Sequence, residues 1–232
     1  MKMGLQCTVT VRSADGTTER FDTIASFENA LKERHYANVE ITIVGVERIP
    51  DCLCANQTGI QSLILGEGVC AVGAGAFSGC TGIESISFAS TVAGIGDYAF
   101  ARNYSLKKIV CGKGVRLIGK GAFFGCTSLV SITLDKTIQS IGAVAFAFCP
   151  NLHDISAELR ATCVIDKSAF HESLNDYVVC SQVGRLALQD IPGKNAFTPG
   201  SAGNRYYVEK INGWERKRLE KQLAYRGVSV GR

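Results

Sequence analysis

Ten cysteines and three histidines are the residues of this 232-residue chain whose types most readily do chemistry. Cys52-Leu53-Cys54 has the look of half a zinc site, but no second Cys or His pair follows at zinc spacing. His35, His153 and His171 are scattered and read as ordinary surface histidines. A thiolate–imidazole pair for nucleophilic catalysis would have to be assembled in space, and nothing in the spacing calls for one. Gly66-Glu67-Gly68 and Gly112-Lys113-Gly114 have the glycines of a phosphate-binding loop, yet they recur at one place in a longer pattern and so read as turns. No catalytic constellation is legible, and we expect a non-enzymatic chain without metal or cofactor.

The pattern that positions these residues is an internal repeat. Ala-Phe returns at Ala76-Phe77, Ala99-Phe100, Ala122-Phe123, Ala145-Phe146 and Ala169-Phe170, at intervals of 23, 23, 23 and 24 residues. Aliphatic-glycine pairs precede it at Val72-Gly73, Ile95-Gly96, Ile118-Gly119 and Ile141-Gly142. A further aliphatic stands three residues earlier, at Val69, Val92, Val115 and Ile138. Leu or Ile pairs follow at Ile83/Ile86, Leu106/Ile109, Leu129/Ile132 and Leu152/Ile155, and Ile49 to Val69 holds a worn first copy. A period of this size means stacked units, each unable to bury its apolar edge alone. Phenylalanine then packs on phenylalanine through the array. Cys80, Cys126 and Cys149 share one column, where Asn103 and Ser173 replace them, and are expected to be small core groups rather than disulfide partners.

Leu129 to Cys149 resembles the BspA-like class of leucine-rich repeat, L-x-x-I-x-L-x-x-x-V-x-x-I-G-x-x-A-F-x-x-C. The resemblance covers about Val46 to Phe170. It implies a leucine-rich-repeat solenoid, and with the residues on either side the expected fold is α/β: about six short, β-rich coils with an N-terminal α/β cap and a C-terminal extension ending in a helix. For function it implies a binding or adhesion surface. Members of the class are often secreted, whereas the opening Met1 to Arg12 alternates like a strand and lacks the apolar core of a signal peptide. With no disulfide framework expected either, the expectation is a reduced, cytoplasmic protein.

Taken in order, residues 1–45 form a capping segment. Gln6–Arg12 and Thr18–Phe21 should pair as a hairpin about Ala14-Asp15-Gly16. Ser26 should cap a helix carrying Phe27, Ala30 and Leu31 and ending near Ala37, and Val39–Ile43 should be a strand. Residues 46–190 are the solenoid, closing with strands at 176–181 and 185–188. Residues 191–232 form a breaker-rich loop, an edge strand from Arg205 to Ile211 and a helix from Gly213 to Arg226. No apolar run reaches the roughly 18 residues of a membrane span.

Charge supplies the candidate contacts. The net charge is +4, and residues 204–232 hold eight basic against three acidic side chains. No Asp or Glu falls between Tyr98 and Leu134, where Arg102, Lys107, Lys108, Lys113, Arg116 and Lys120 lie. These cations either gather into a basic sector or are offset by Glu84, Asp97 and Asp135 of neighbouring copies. Lys107, Lys108, Lys113, Arg116, Trp214, Arg216, Lys217, Arg218 and Lys221 are accordingly the expected partner-binding residues. The expected function is a protein-interaction scaffold or structural subunit of a larger assembly. The alternatives are a ribonucleoprotein subunit using the basic tail with Trp214, Tyr206 and Tyr207, or a cell-surface adhesin.

Overall fold

The computed structural model describes residues 6–170, apart from 153, 158, 160, 161 and 167. The expected strands at 176–181 and 185–188 and the whole of 191–232, with Trp214, Arg216, Lys217, Arg218 and Lys221, lie outside the described residues.

Strand β1 (Thr8–Ser13) and β2 (Thr18–Phe21) form the expected antiparallel hairpin, Val9 opposite Phe21 and Arg12 opposite Thr18. Its turn is set by Asp15, whose Oδ1 accepts the Thr17 backbone N–H at 2.8 Å, and by Gly16 at φ 88°. Helix α1 (Ile24–Glu33) starts and stops earlier than expected. Thr23, not Ser26, is its cap: the Thr23 hydroxyl oxygen accepts the Ser26 N–H at 3.1 Å, so Ser26 lies inside the first turn. The helix ends before Ala37 because Arg34 is already extended, at φ −150°. Phe27, Ala30 and Leu31 are its buried face, as the spacing predicts, and the Phe27 ring centroid lies 5.4 Å from that of Phe21.

From here the chain alternates long and short strands. The long ones are β3 (Val39–Val44), β5 (Ile60–Leu65), β7 (Ser85–Phe88), β9 (Lys108–Cys111), β11 (Ser131–Leu134) and β13 (Asp154–Ala157). The short ones are β4 (Arg48–Ile49), β6 (Ala71–Val72), β8 (Gly94–Ile95), β10 (Leu117–Ile118), β12 (Ser140–Ile141) and β14 (Val164–Ile165). The long strands pair in parallel, and β3 also pairs antiparallel with β1, giving an eight-stranded sheet in the order β13-β11-β9-β7-β5-β3-β1-β2. The short strands make a six-stranded parallel sheet. Each coil therefore contributes one strand to each sheet, the arrangement of a leucine-rich-repeat solenoid. Register follows the period: Ile86 sits beside Leu63, and Ile132 beside Ile109 and Ile155.

The Ala-Phe turn closes each coil with a third ladder. Phe77 N–H donates to the Ala99 carbonyl at 2.8 Å, Phe100 to Ala122, Phe123 to Ala145 and Phe146 to Ala169. The rings of Phe77, Phe100, Phe123, Phe146 and Phe170 stack with centroids 5.2–5.4 Å apart and planes within 10° of parallel. Burying each ring stabilises by about 1.5–3 kcal/mol. The worn first coil has Cys54, fully buried, where later coils have phenylalanine.

The cysteine column does more than fill space. Cys80 Sγ donates to the Cys54 carbonyl, Cys126 to Phe100 and Cys149 to Phe123, at 2.9, 3.3 and 3.4 Å. Asn103 fits the same column because its Nδ2 donates to the carbonyls of Phe77, at 3.2 Å, and Phe100, at 3.0 Å. Each donor adds to the hydrogen bonding of a carbonyl in the coil before, so the column carries small donors rather than small apolar groups alone. Two further cysteines sit differently, Cys111 inside the core and Cys70 outside it. Cys111 is the buried last residue of β9, in the core column with Leu134, whereas Cys70 is exposed and precedes β6.

Candidate interaction surface

Once the ladders are filled, the variable residues are left on three sides of each coil: the outer face of the long-strand sheet, the short-strand side and the Ala-Phe turns. On the sheet face, Glu40, Ser62, Ser85, Lys108, Ser131 and Asp154 form one row across β3 to β13. Thr42, Ile64, Ser87, Val110, Thr133 and Ser156 form another. The first row divides equally between serines and the charged Glu40, Lys108 and Asp154, while small hydroxyl and β-branched side chains make up the second.

The expected partner-binding cations divide among these sides. Lys107 and Lys108 are exposed on the sheet face, where Lys107 Nζ lies 3.0 Å from Glu84 Oε2 in the preceding coil. Lys113 lies in the turn after β9, and it helps hold the Asp135 carboxyl of the next coil below its usual range. The larger causes of that lowering are the backbone and side-chain hydrogen bonds from Thr137. Arg116 is exposed just before β10, on the short-strand side. Arg102 and Lys120 belong to the Ala-Phe turns. Glu84 and Asp135 thus supply neighbouring charge to the sheet face and the β9 turn; on the Ala-Phe turns Arg102 and Lys120 stand in no ion pair among the described residues, and the carboxylate there, Asp97, accepts the Lys120 backbone N–H.

Those turns carry a feature that the sequence reading passed over. Two columns take a left-handed backbone in coil after coil. One is Cys52, Gly75, Tyr98, Gly121 and Val144, at φ 50–60°; the other is Asn56, Gly79, Arg102, Gly125 and Phe148, at φ 58–72°. This geometry turns alternate N–H groups along the solenoid: Tyr98 donates to the Lys120 carbonyl at 2.8 Å and Arg102 to that of Phe124 at 2.7 Å. Glycine adopts it freely, whereas other L-residues are disfavoured there by about 1–2 kcal/mol. Glycine and larger residues alternate through the first four coils, and Tyr98 and Asn56 lean over the glycine of the next coil. A Cβ on Gly121 would fall 2.3 Å from Tyr98 Cε1, and one on Gly79 would fall 2.3 Å from Asn56 Oδ1.

The bulky residues bring rings to the surface of the third to fifth coils. Tyr98 meets Phe124 edge-on with centroids 6.5 Å apart, and Phe124 meets Phe148 at 5.0 Å. Lys120 Nζ lies 5.9 Å above the Tyr98 ring. Tyr98 is 39% exposed, and Phe124 and Phe148 are half-buried. The sequence signal was present in the alternation Gly75, Tyr98, Gly121, Val144, which stands out once that column is aligned.

A concavity lies in the N-terminal segment, lined by Ser13, Thr18, Glu19, Arg34 and Tyr36 among others. Its polar groups satisfy one another: Arg34 pairs with Glu19, and the Tyr36 hydroxyl donates to Glu19 Oε2 at 2.9 Å. Burial first, and then this hydrogen bond, pushes the Tyr36 phenol up to about 12. The core thiols are similarly held protonated. Burial pushes Cys80 and Cys111 up to about 12 and raises Cys54 and Cys126 as well, which removes them as nucleophiles at neutral pH. Among the described residues no group of three or more His, Cys, Asp or Glu could hold a metal ion.

The family model described as BspA type leucine rich repeat region matches residues 47–176 in six copies. Among solved structures, a leucine rich cell surface protein from Faecalibacterium prausnitzii is similar at 25% identity and a TM-score of 0.51. That match covers 63% of this chain and 37% of that protein, so this chain spans well under half the length of that relative. The T. pallidum leucine rich repeat protein is similar at 21% identity and a TM-score of 0.45, over 64% of this chain and 88% of that one. The pneumococcal vaccine antigen PcpA is similar at 22% identity and a TM-score of 0.49, over 56% of this chain and 33% of that one. No curated protein matches.

Proposed function

The chain belongs to the BspA-type leucine-rich repeat family, and from that membership we propose that it is a non-enzymatic binding protein, a scaffold or structural subunit that holds other proteins on its repeat surface. The observation that carries this reading is the division of labour within each coil. The thiols of Cys54, Cys80, Cys111, Cys126 and Cys149 are buried, and those of Cys80, Cys126 and Cys149 donate into the ladder, whereas Cys52 and Cys70 are exposed. The variable residues occupy exposed rows on a rigid frame of two sheets. Stacked repeats present extended surfaces of this kind to partners. The basic segment 204–232, with Trp214, Arg216, Lys217, Arg218 and Lys221, is proposed as a second contact.

We assign the protein to the cytoplasm as part of the same reading. The buried reduced thiols, used as hydrogen-bond donors, support it. The F. prausnitzii relative, described as a cell surface protein, is the counter-indication.

The test is native co-purification from the source cell, with and without RNase, followed by mass spectrometry. Protein neighbours that survive RNase are the expected result. Neighbours lost with RNase would move the reading to a ribonucleoprotein subunit, and recovery of the chain from the surface of intact cells would overturn the cytoplasmic assignment.

A further inference from the structure

We propose that the Ala-Phe turns of the third to fifth coils form a docking strip for an extended, carboxylate-bearing apolar segment of a partner protein. This inference rests on the reading of the chain as a protein-binding scaffold and names the face and the chemistry of the partner.

The fold does not require these side chains. Glycine stands at the two left-handed positions in the second and fourth coils, while Tyr98, Arg102 and Phe148 occupy them in the third and fifth, at φ 53°, 59° and 58°. Large residues held in a disfavoured backbone, where glycine serves the same turn one coil away, point to a use for the side chains themselves. Three of these coils' rings converge although they come from three different columns: Tyr98 with Phe124 at 6.5 Å and Phe124 with Phe148 at 5.0 Å. They are thus distinct from the buried ladder of Phe77, Phe100, Phe123 and Phe146. On the first two coils the corresponding left-handed positions hold only Cys52, Asn56, Gly75 and Gly79.

Charge identifies the occupant. Arg102 and Lys120 are exposed beside the rings, and among the described residues neither stands in an ion pair. Asp97, the acid on these turns, already accepts the Lys120 backbone N–H on Oδ1 at 2.8 Å. The strip is therefore apolar and positive, which complements carboxylates set among apolar side chains. A neutral carbohydrate would use the rings but has no need of the cations.

The probe is a fluorescein-labelled peptide of roughly ten residues alternating Glu and Val, long enough to cross three coils in extended form. Its binding to the full chain is followed by fluorescence anisotropy at low and high ionic strength. Tyr98→Gly with Arg102→Gly is the diagnostic variant. Glycine already serves these positions in adjacent coils, so the fold should persist, and circular dichroism checks that it does. We expect saturable, salt-sensitive binding that weakens at least about tenfold in the double variant. Equal binding of a Lys-Val peptide, equal binding by the folded double variant, or no binding of the acidic peptide would overturn the inference. Saturable binding of a neutral oligosaccharide in place of the peptide would reassign the strip to carbohydrate. Co-purified proteins held equally by wild type and double variant would overturn the strip and leave the scaffold reading standing. Peptide binding lost in the variant, with the chain recovered alone from cells, would support the strip and overturn the scaffold reading.

Discussion

Asn103 Nδ2 lies 3.2 Å from the Phe77 carbonyl oxygen, 26 residues back along the chain, the same step by which Cys126 reaches Phe100 and Cys149 reaches Phe123. An amide and a thiol are interchangeable there because the position asks for one short donor. Asn103→Ala should destabilise by about 1–3 kcal/mol, since it removes the side-chain donor from the Phe77 carbonyl and one of the two, with the Cys126 thiol, from that of Phe100. Asn103→Cys should recover most of that loss, because it restores a donor and removes the Asn103 Oδ1, which is buried without a partner. Urea unfolding of the two variants makes the comparison. Equal losses would show that the column works by volume alone.

The ring ladder sets a larger scale. Phe123 is fully buried and stacks on both Phe100 and Phe146. Phe123→Ala should cost about 3–5 kcal/mol and lower the melting temperature. A loss below about 1 kcal/mol would mean that neighbouring coils collapse into the gap.

Gly121 tests the alternation of the turns. It is left-handed at φ 58°, and the Tyr98 ring covers the space a methyl group would need. Gly121→Ala should destabilise by about 1–2 kcal/mol from the backbone alone, and more through displacement of the ring. Pairing it with Tyr98→Gly should remove the second part and leave the first, which thermal melts of the three variants resolve.

Alkaline pH should weaken the fold. Cys80, Cys111 and Tyr36 have native values pushed up to about 12, from ordinary values of 9.0 for the thiols and 10.0 for the phenol. The unfolded chain therefore loses these protons first, and the native state binds more protons across that window. Stability should be fully present below about pH 9 and fall as pH rises towards 12. Denaturant midpoints measured across that range check the sign, and a flat profile would refute the burial of these groups. At pH 8 a thiol reagent should modify the exposed Cys52 and Cys70 promptly, and Cys54, Cys80, Cys111, Cys126 and Cys149 only on unfolding.

The Lys107–Glu84 pair bridges coils on an exposed face, with side chains 64% and 56% accessible. Glu84→Ala should change stability by less than about 1 kcal/mol. A larger loss in a thermal melt would assign this pair a role in holding the sheet together.

The repeat made the solenoid legible. A period of 23 residues puts equal positions beside one another in parallel strands, so the columns Val69/Val92/Val115/Ile138 and Phe77/Phe100/Phe123/Phe146 followed from the chain alone, and all are buried. Local rules were weaker where two caps competed: Thr23 and Ser26 are both good cap residues, and only the folded chain shows that Thr23 accepts the Ser26 N–H. What the tertiary structure decided is the surface. Tyr98, Phe124 and Phe148 share no column, so no reading along the period brings them together. They meet because side chains at neighbouring places in successive turns lean across the coil boundary. Likewise, Glu84 and Lys107 and Asp97 and Lys120 both stand one period apart, yet only the first two form an ion pair, because Asp97 Oδ1 accepts the Lys120 backbone N–H. A repeat fixes its own core through identity of position; its contacts with the outside depend on where positions differ.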